Sequence, residues 1–405
     1  MERLIGIAGI LVLLSIALAM SNNRKAISWQ LVTWGLGIQL LFAIIILKTP
    51  VGVPFFGAID IGIKNLLSFS DAGSDFLFKS FRNGVVEDPL MNFAFRILPT
   101  LIFFSSLIAV LYHVGIMQFI VKWIARFMQK SMATSGSETL CVSGNIFVGQ
   151  TEAPLLVRPF VSKMTKSELM AIMVSGFATV AGGVMAMYVS MLGDIPGIAG
   201  HLLAASIMSA PAALVIAKII YPETETSETF GDIKIALENK DDNIMEALSR
   251  GATNGMKLAA NVAAMLVAFV AIIAMVNAIL GLMHLSLQQI FGWLFSPLAW
   301  VMGVPWAEAG IIGSLMGEKL VLTELIAYGD LAKLTATNSI SDRSAIIASY
   351  ALCGFANFAS VGIQLGGIGG VAPERRKDLA KLGLKAMFGG ALASWLTATI
   401  AGMLI

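Results

Sequence analysis

The chain has 405 residues, of which 57% are hydrophobic and 13% charged, with a mean hydropathy of +0.83. Soluble domains carry about 25% charged residues, so these proportions exclude a water-soluble globular protein and imply an integral membrane one. The formal net charge of +2 is too small to point to a nucleic-acid partner.

A bilayer-crossing helix needs about 20 mostly apolar residues, and the chain offers eight such runs. They fall near Ile5–Met20, Ile27–Leu47, Ile97–Val114, Glu168–Ser190, Ile198–Ile220, Leu258–Leu280, Ile346–Leu365 and Leu384–Ile405. The first, with Arg3 before it and Ala17-Leu18-Ala19 near its end, has the look of a secretory leader. Arg24 and Lys25 directly behind it, and the second apolar run that follows, favour an uncleaved span.

Basic residues set the orientation, because cytoplasmic loops concentrate Lys and Arg. Arg24 and Lys25, then Lys122, Arg126 and Lys130, then Arg375, Arg376, Lys377 and Lys381 follow the first, third and seventh spans. Gly281–Gly317 contains neither Lys nor Arg. Both termini are therefore expected on the outer face, with the charged stretch Tyr221–Lys257 in the cytoplasm. Two further segments suit helices lying in the interface. Ile116–Lys130 sets Phe119, Ile120, Trp123 and Phe127 against its basic residues, and Ser286–Val304 carries Trp293 and Trp300.

Two stretches echo each other. Thr151-Glu152 precedes Gly176-Phe177-Ala178-Thr179-Val180-Ala181-Gly182-Gly183, and Thr323-Glu324 precedes Gly354-Phe355-Ala356-Asn357-Phe358-Ala359-Ser360. Paired interrupted segments at corresponding positions point to the substrate site of a repeat-built secondary transporter. Ser143–Lys163 is apolar but broken by Gly149, Gln150, Thr151, Glu152 and Pro154. Its flanking charges put both ends inside, so it is expected to enter and return. Pro305–Leu331 is expected to do the same from outside. Such backbone is tolerated at membrane depth only against protein or a water-filled cavity. Glu152 and Glu324 then lie deep, where acids are functional by default. The bland alternatives are pairing of Glu152 with Arg158 and of Glu324 with Lys319.

Thr179 falls in a glycine-flanked break where unwound carbonyls are available to an ion. Asn145, the Val148 and Val180 carbonyls and the Thr179 hydroxyl together suit a dehydrated sodium ion, although small polar residues also glue membrane helices together. Asn357 and Ser360, three apart, share a helical face and present an amide and a hydroxyl to a polyhydroxylated ligand. Phe355 and Val184 are more often packing residues than ligand contacts. Cys141 and Cys353 read as small packing residues. No Walker pattern, zinc-protease motif or nucleophile elbow is present, and His113, His201 and His284 stand apart, as interfacial or loop residues. An enzyme using Glu152 and Glu324 as acid and base would lack a nucleophile or metal beside them.

Asn145-Ile146-Phe147-Val148-Gly149-Gln150-Thr151-Glu152-Ala153-Pro154-Leu155 resembles the first hairpin of the concentrative nucleoside transporters, closest to their short bacterial members. Gly317-Glu318-Lys319-Leu320-Val321-Leu322-Thr323-Glu324-Leu325-Ile326-Ala327-Tyr328 is similar to their Gly-x-Lys-x-x-x-Asn-Glu-Phe-Val-Ala signature, and Cys353-Gly354-Phe355-Ala356-Asn357 and Pro373-Glu374-Arg375-Arg376 are similar too. The resemblance implies an all-α membrane fold of eight spans, two opposed re-entrant hairpins and interfacial helices, assembled as a homotrimer in the bacterial inner membrane. It divides the chain into a scaffold (1–131), a first transport repeat (132–221), a linker with the sixth span, also scaffold (222–282), and a second repeat (283–405). It implies that Gly149, Gln150, Thr151 and Glu152 address the nucleobase, with Val184 and Leu258 flanking it. Glu324, Asn357 and Ser360 would bind ribose, Phe355 would close the pocket, and Asn145, Val148, Thr179 and Val180 would hold sodium. Thr323 and Leu325 depart from the signature's Asn and Phe, and Thr179 replaces a Ser. The expected function is nucleoside import, uridine included, driven by a sodium or proton gradient, with an elevator-like movement and no cofactor. The alternative is symport of another polar solute on the same architecture.

Overall fold

The computed structural model describes residues 2–50, 52–64, 98–229 and 241–405, and among them the regular structure is entirely helical. Ile97, the expected start of the third span, and residues 230–240 of the expected cytoplasmic stretch lie outside the described residues. Helices are the natural outcome, because a helix satisfies its own backbone groups where water is absent.

The first region comprises α1 (Glu2–Ala19), α2 (Trp29–Lys48), α3 (residues 52–64), α4 (Leu98–Val114) and α5 (Ile116–Met132). Gly115, at φ +90°, turns α4 into α5 through 76°. The amphipathic segment is thus a separate helix crossing the direction of its neighbour. It buries Met117, Val121, Ala125 and Met128 and leaves Phe119, Trp123 and Phe127 exposed.

Next come α6 (Gly136–Gly144), a tight turn, a single 3-10 turn (Ala153–Val157) and α7 (Arg158–Val161). The first hairpin therefore starts at Gly136, earlier than the expected Ser143. Ser135 and Glu138 form a capping box there, and such a box begins a helix by satisfying orphan amide groups. A second box, Thr165 with Glu168, opens α8 (Lys166–Ala178), which breaks before α9 (Gly182–Met191); α10 (Ile198–Ile220) follows.

The long α11 (Ile244–Gly281) leads to α12 (Leu287–Val301), which turns through 117° into α13 (Trp306–Val321). Helix α14 (Glu324–Ala336) completes the second hairpin. A second broken span, α15 (Asp342–Leu352) and α16 (Phe358–Val371), precedes α17 (Arg376–Leu404). This span starts before and ends after its apolar run Ile346–Leu365: Ser341 caps α15 five residues before the run, and α16 continues through its glycines to Val371.

Trp29–Lys48, Lys166–Met191, Ile198–Ile220 and Pro373–Leu404 are long and apolar enough to cross a bilayer. Two of the other expected spans form shorter helices for local reasons. Helix α4 ends at its bend, and the seventh span is cut in two by its break.

Polar side chains tie the buried helices together, as in other membrane bundles. Gln39 of α2 donates to Thr397 of α17 at 2.9 Å, and Thr397 meets Ser209 of α10 at 3.2 Å. Where α6 and α8 begin and α10 ends, the Lys218 ammonium lies 2.7 Å from Glu138, and Glu168 accepts the hydroxyls of Ser227 and Thr229. Helices α4 and α11 lie in direct backbone contact. A Cβ on Gly255 would stand 2.6 Å from Ile102 Cα, too close for any side chain.

Gly255→Ala is expected to force α4 and α11 apart. Overpacking of this kind costs about 1–3 kcal/mol, which a lowered melting temperature of the detergent-solubilised protein would register.

Candidate functional site

The two broken spans meet at their breaks. Gly354 takes φ +96° in the gap between α15 and α16, and a Cβ there would stand 2.4 Å from the carbonyl oxygen of Phe177 and 2.6 Å from Ala178 C. Only glycine combines that positive φ with so close an approach. The last turn of α8 is thereby pressed against the second gap. A further link crosses the two halves: Gln364 of α16 donates its Nε2 to Gln150 Oε1 and to the Met173 carbonyl, each at 3.0 Å.

Four predicted residues gather at the C-terminal end of α8. Asn145 is fully buried, and its Nδ2 donates to Ser175 Oγ at 2.8 Å, while its Oδ1 has no hydrogen-bond partner. Thr179, the C-cap of α8, donates its hydroxyl to the Ser175 carbonyl at 2.8 Å, leaving its lone pairs free. Val148 and Val180 are buried beside them, and neither carbonyl accepts a hydrogen bond from the described backbone. Gly182 N donates to the Phe147 carbonyl at 2.9 Å, locking the hairpin turn onto the break. A helix C-terminus carries about half a negative charge. An orphaned amide oxygen, a hydroxyl and carbonyls at such an end are hard oxygen donors, and they fit a small cation.

The acid of the second hairpin lies at two helix N-termini. Glu324 is the first residue of α14, and Asn357 caps α16. Tyr188 donates its hydroxyl to Glu324 Oε1 at 2.8 Å, and Asn357 Nδ2 donates to Oε2 at 2.7 Å. The rings of Tyr188 and Tyr328 stack with centroids 4.3 Å apart. Asn357 and Ser360 are not neighbours on the flank of a helix, as their spacing suggests. Asn357 is the cap, and its Oδ1 accepts Ser360 N at 2.8 Å, because the helix begins between them.

The other acid lies open. Glu152 is exposed in a cavity of about 790 Å³, within the range of about 300–1,000 Å³ of small-ligand pockets. Its Oε2 accepts Gly149 N at 3.1 Å. Val148, Val184 and Leu258 line the same cavity, as do the charged Arg158, Arg250, Asp241 and Glu374. Arg250 grips Asp241 through two hydrogen bonds of 2.7 and 2.6 Å and holds its carboxyl below the usual range.

The predicted residues thus form three neighbouring groups. Glu152, Val184 and Leu258 face the cavity; Asn145, Thr179 and Val180 sit at the end of α8; Glu324, Asn357 and Ser360 are buried outside the cavity lining. Thr151 packs against α16, where a Cβ on Gly367 would stand 2.5 Å from its Cγ2. Phe355 is half-buried in the second gap. Among the described residues Glu152 forms no ion pair with Arg158, and Glu324 forms none with Lys319. His201 is not a loop residue: it sits in the first turn of α10, with Nδ1 3.1 Å from the Tyr350 hydroxyl. Tyr188, Ser175 and Gln364 went unpredicted. Each is a polar group inside an apolar run, and that isolation was the available signal.

Three family profiles match the chain. They are described as the N-terminus of Na+ dependent nucleoside transporters over residues 8–81, nucleoside recognition over 94–195, and the C-terminus of Na+ dependent nucleoside transporters over 201–402. A relative from Haemophilus influenzae, called an uncharacterized transporter, is 45% identical over the whole chain and 98% of its own length. Sodium/nucleoside cotransporter 1 of Mus musculus is 41% identical, and the chain spans 64% of that longer protein. The solved structure of CNTnw in an inward-facing substrate-bound state is similar over 100% of this chain and 98% of that one, with 44% identity and a TM-score of 0.91. A doubly substituted CNTnw in an outward-facing state also reaches 0.91, at 43% identity.

Tyr188→Phe removes the donor to Glu324 Oε1. A buried acceptor left unpaired costs about 1–3 kcal/mol, so the variant's melting temperature in detergent should fall, while Tyr328→Phe, which unpairs only the Ser349 carbonyl, serves as the comparison.

Proposed function

The chain belongs to the concentrative nucleoside transporter family, and we propose that it imports nucleosides by symport with sodium. It is a membrane transporter and not an enzyme. The observation that carries the reading is the crossing of the two broken spans, which sets an oxygen-rich, negative helix end beside a pair of positive helix starts. One end suits a cation and the other a neutral ligand rich in hydroxyls.

In this reading Asn145 Oδ1, the Thr179 hydroxyl and the carbonyls of Val148 and Val180 bind sodium. Holding the turn after α6 against the end of α8, the ion fixes the adjacent Gly149, Gln150, Thr151 and Glu152, which address the nucleobase. Val184 and Leu258 flank the base from the cavity wall. Glu324, Asn357 and Ser360 take the ribose hydroxyls, and Phe355 closes over the sugar. A ribose hydroxyl then competes with Tyr188 for Glu324. Thr323 caps α14 by accepting Ile326 N at 3.4 Å, so its hydroxyl proton remains available to the ligand.

The cavity is lined in part by Asp241, Arg250 and Glu374, in stretches that the basic loops assign to the cytoplasm, which supports an inward-facing state. Both termini then lie outside, in a bacterial inner membrane. Residues 1–131 and 222–282 serve as scaffold and hold a homotrimer together, while 132–221 and 283–405 move as one elevator carrying the site. The repeat-built architecture and broken helices support alternating access.

Uptake of labelled uridine into proteoliposomes under separately imposed sodium and proton gradients tests this directly. An inward sodium gradient should drive accumulation, and a proton gradient alone should not. Glu324→Gln should lower sodium-driven uptake at least tenfold, a loss of about 1.4 kcal/mol or more; unchanged uptake would remove the ribose assignment. Thr179→Val should raise the sodium concentration giving half-maximal uridine binding by roughly tenfold or more, and a wild-type sodium titration would remove the ion site.

A further inference from the structure

Lys319 is the one fully buried lysine among the described residues that makes no ion pair there. It lies in the last turn of α13, and its ammonium donates to the carbonyls of Ala351 at 2.9 Å and Cys353 at 2.8 Å and to Ser394 Oγ at 2.8 Å. All three of its protons are therefore used. Ala351 and Cys353 belong to the C-terminal end of α15, Cys353 being its C-cap.

That place has a counterpart. Helix α15 is the first half of the second broken span, as α8 is of the first, and Cys353 caps one as Thr179 caps the other. In each repeat a side chain from the end of the hairpin's first helix reaches this helix end. Asn145, the C-cap of α6, does so in the first, and Lys319 does so in the second. Both helix ends present carbonyls that no following turn of the helix satisfies, and the negative pole of the dipole, so both call for a positive charge. In the first repeat the side chain is neutral and its inward oxygen is orphaned; in the second the side chain brings the charge itself.

We propose that Lys319 is a tethered cation: its ammonium fills in the second repeat the position that the transported sodium takes in the first. The inference rests on the sodium site proposed above. It follows that one mobile ion, not two, accompanies each ligand. It also follows that the second gap, with Phe355 and Asn357 behind it, is permanently set, whereas the first is set only when the ion arrives. Lys319 is a positioning residue and touches no ligand.

The test is a sodium titration of uridine binding by calorimetry on the detergent-solubilised protein, with sodium-dependent melting as a second readout. Wild-type protein should bind with a Hill slope for sodium of one. Lys319→Asn, which restores a neutral oxygen-bearing side chain like that of Asn145, should steepen the slope toward two and show a second sodium-dependent rise in melting temperature. Lys319→Met, which supplies neither charge nor oxygen, should weaken uridine binding at least tenfold at every sodium concentration. An unchanged slope in Lys319→Asn, or unchanged affinity in Lys319→Met, overturns the proposal. Should neither variant fold, the charge moved per uridine by wild-type proteoliposomes decides: one elementary charge supports it and two overturn it. A wild type indifferent to sodium would instead remove the sodium reading of the first repeat.

Discussion

The close approach of Gly354 to the Phe177 carbonyl holds this architecture together. A broken helix inside a membrane strands backbone groups that neither water nor a next turn can satisfy. Here each break lies against the other, so the loose ends of one span are covered by the gap in its partner. The surrounding side chains finish the work. Thr179 satisfies the Ser175 carbonyl and Gln364 the Met173 carbonyl, while Tyr328 and Lys319 serve those of Ser349, Ala351 and Cys353. Any residue larger than glycine at 354 would part the two spans and expose both sets.

From this contact follows the polarity of the site. Where α8 and α15 end, carbonyls collect; where α14 and α16 begin, amide groups collect. The two kinds of helix end attract opposite charge, so cation and acid are sorted to their places by backbone direction before any side chain is considered. Asn145 and Lys319 then use the negative ends, while Glu324 uses the positive ones. The acidic side chain gains the helix starts, the Tyr188 hydroxyl and the Asn357 amide, which together offset the cost of burying it.

Much of this was legible in the sequence, and what was not has physical reasons. The glycine-rich run Ala178–Gly183 announced the first break, because glycine weakens a helix and permits close approach. The charge clusters separated the re-entrant hairpins from true spans. Helix starts were harder to read: Ser135, Thr165 and Ser341 cap helices in polar stretches where hydropathy carries no signal. The pairing of Asn357 with Glu324 joins residues 33 apart, and that of Gln364 with Gln150 joins residues 214 apart. Local periodicity cannot see either. Asn357 stands out as a polar residue in an apolar run, but its role as a cap depends on where the helix begins.

The two acids differ in a way that bears on how a transporter of this kind avoids leaking ions. Glu152 faces the cavity and accepts from the Gly149 amide, while Glu324 is buried, with both carboxylate oxygens already engaged. A ligand reaching Glu324 must break into a satisfied cluster, and only a group that replaces the Tyr188 or Asn357 donor with donors of its own does so without net loss. Water can supply such donors singly but not in the fixed geometry of a sugar ring, whose ordering is settled before binding. In the proposed reading sodium reaches the end of α8 without disturbing the Glu324 cluster. Ion and ligand are held, in that same reading, by opposite faces of one crossing, and the close glycine contact between them couples the two faces.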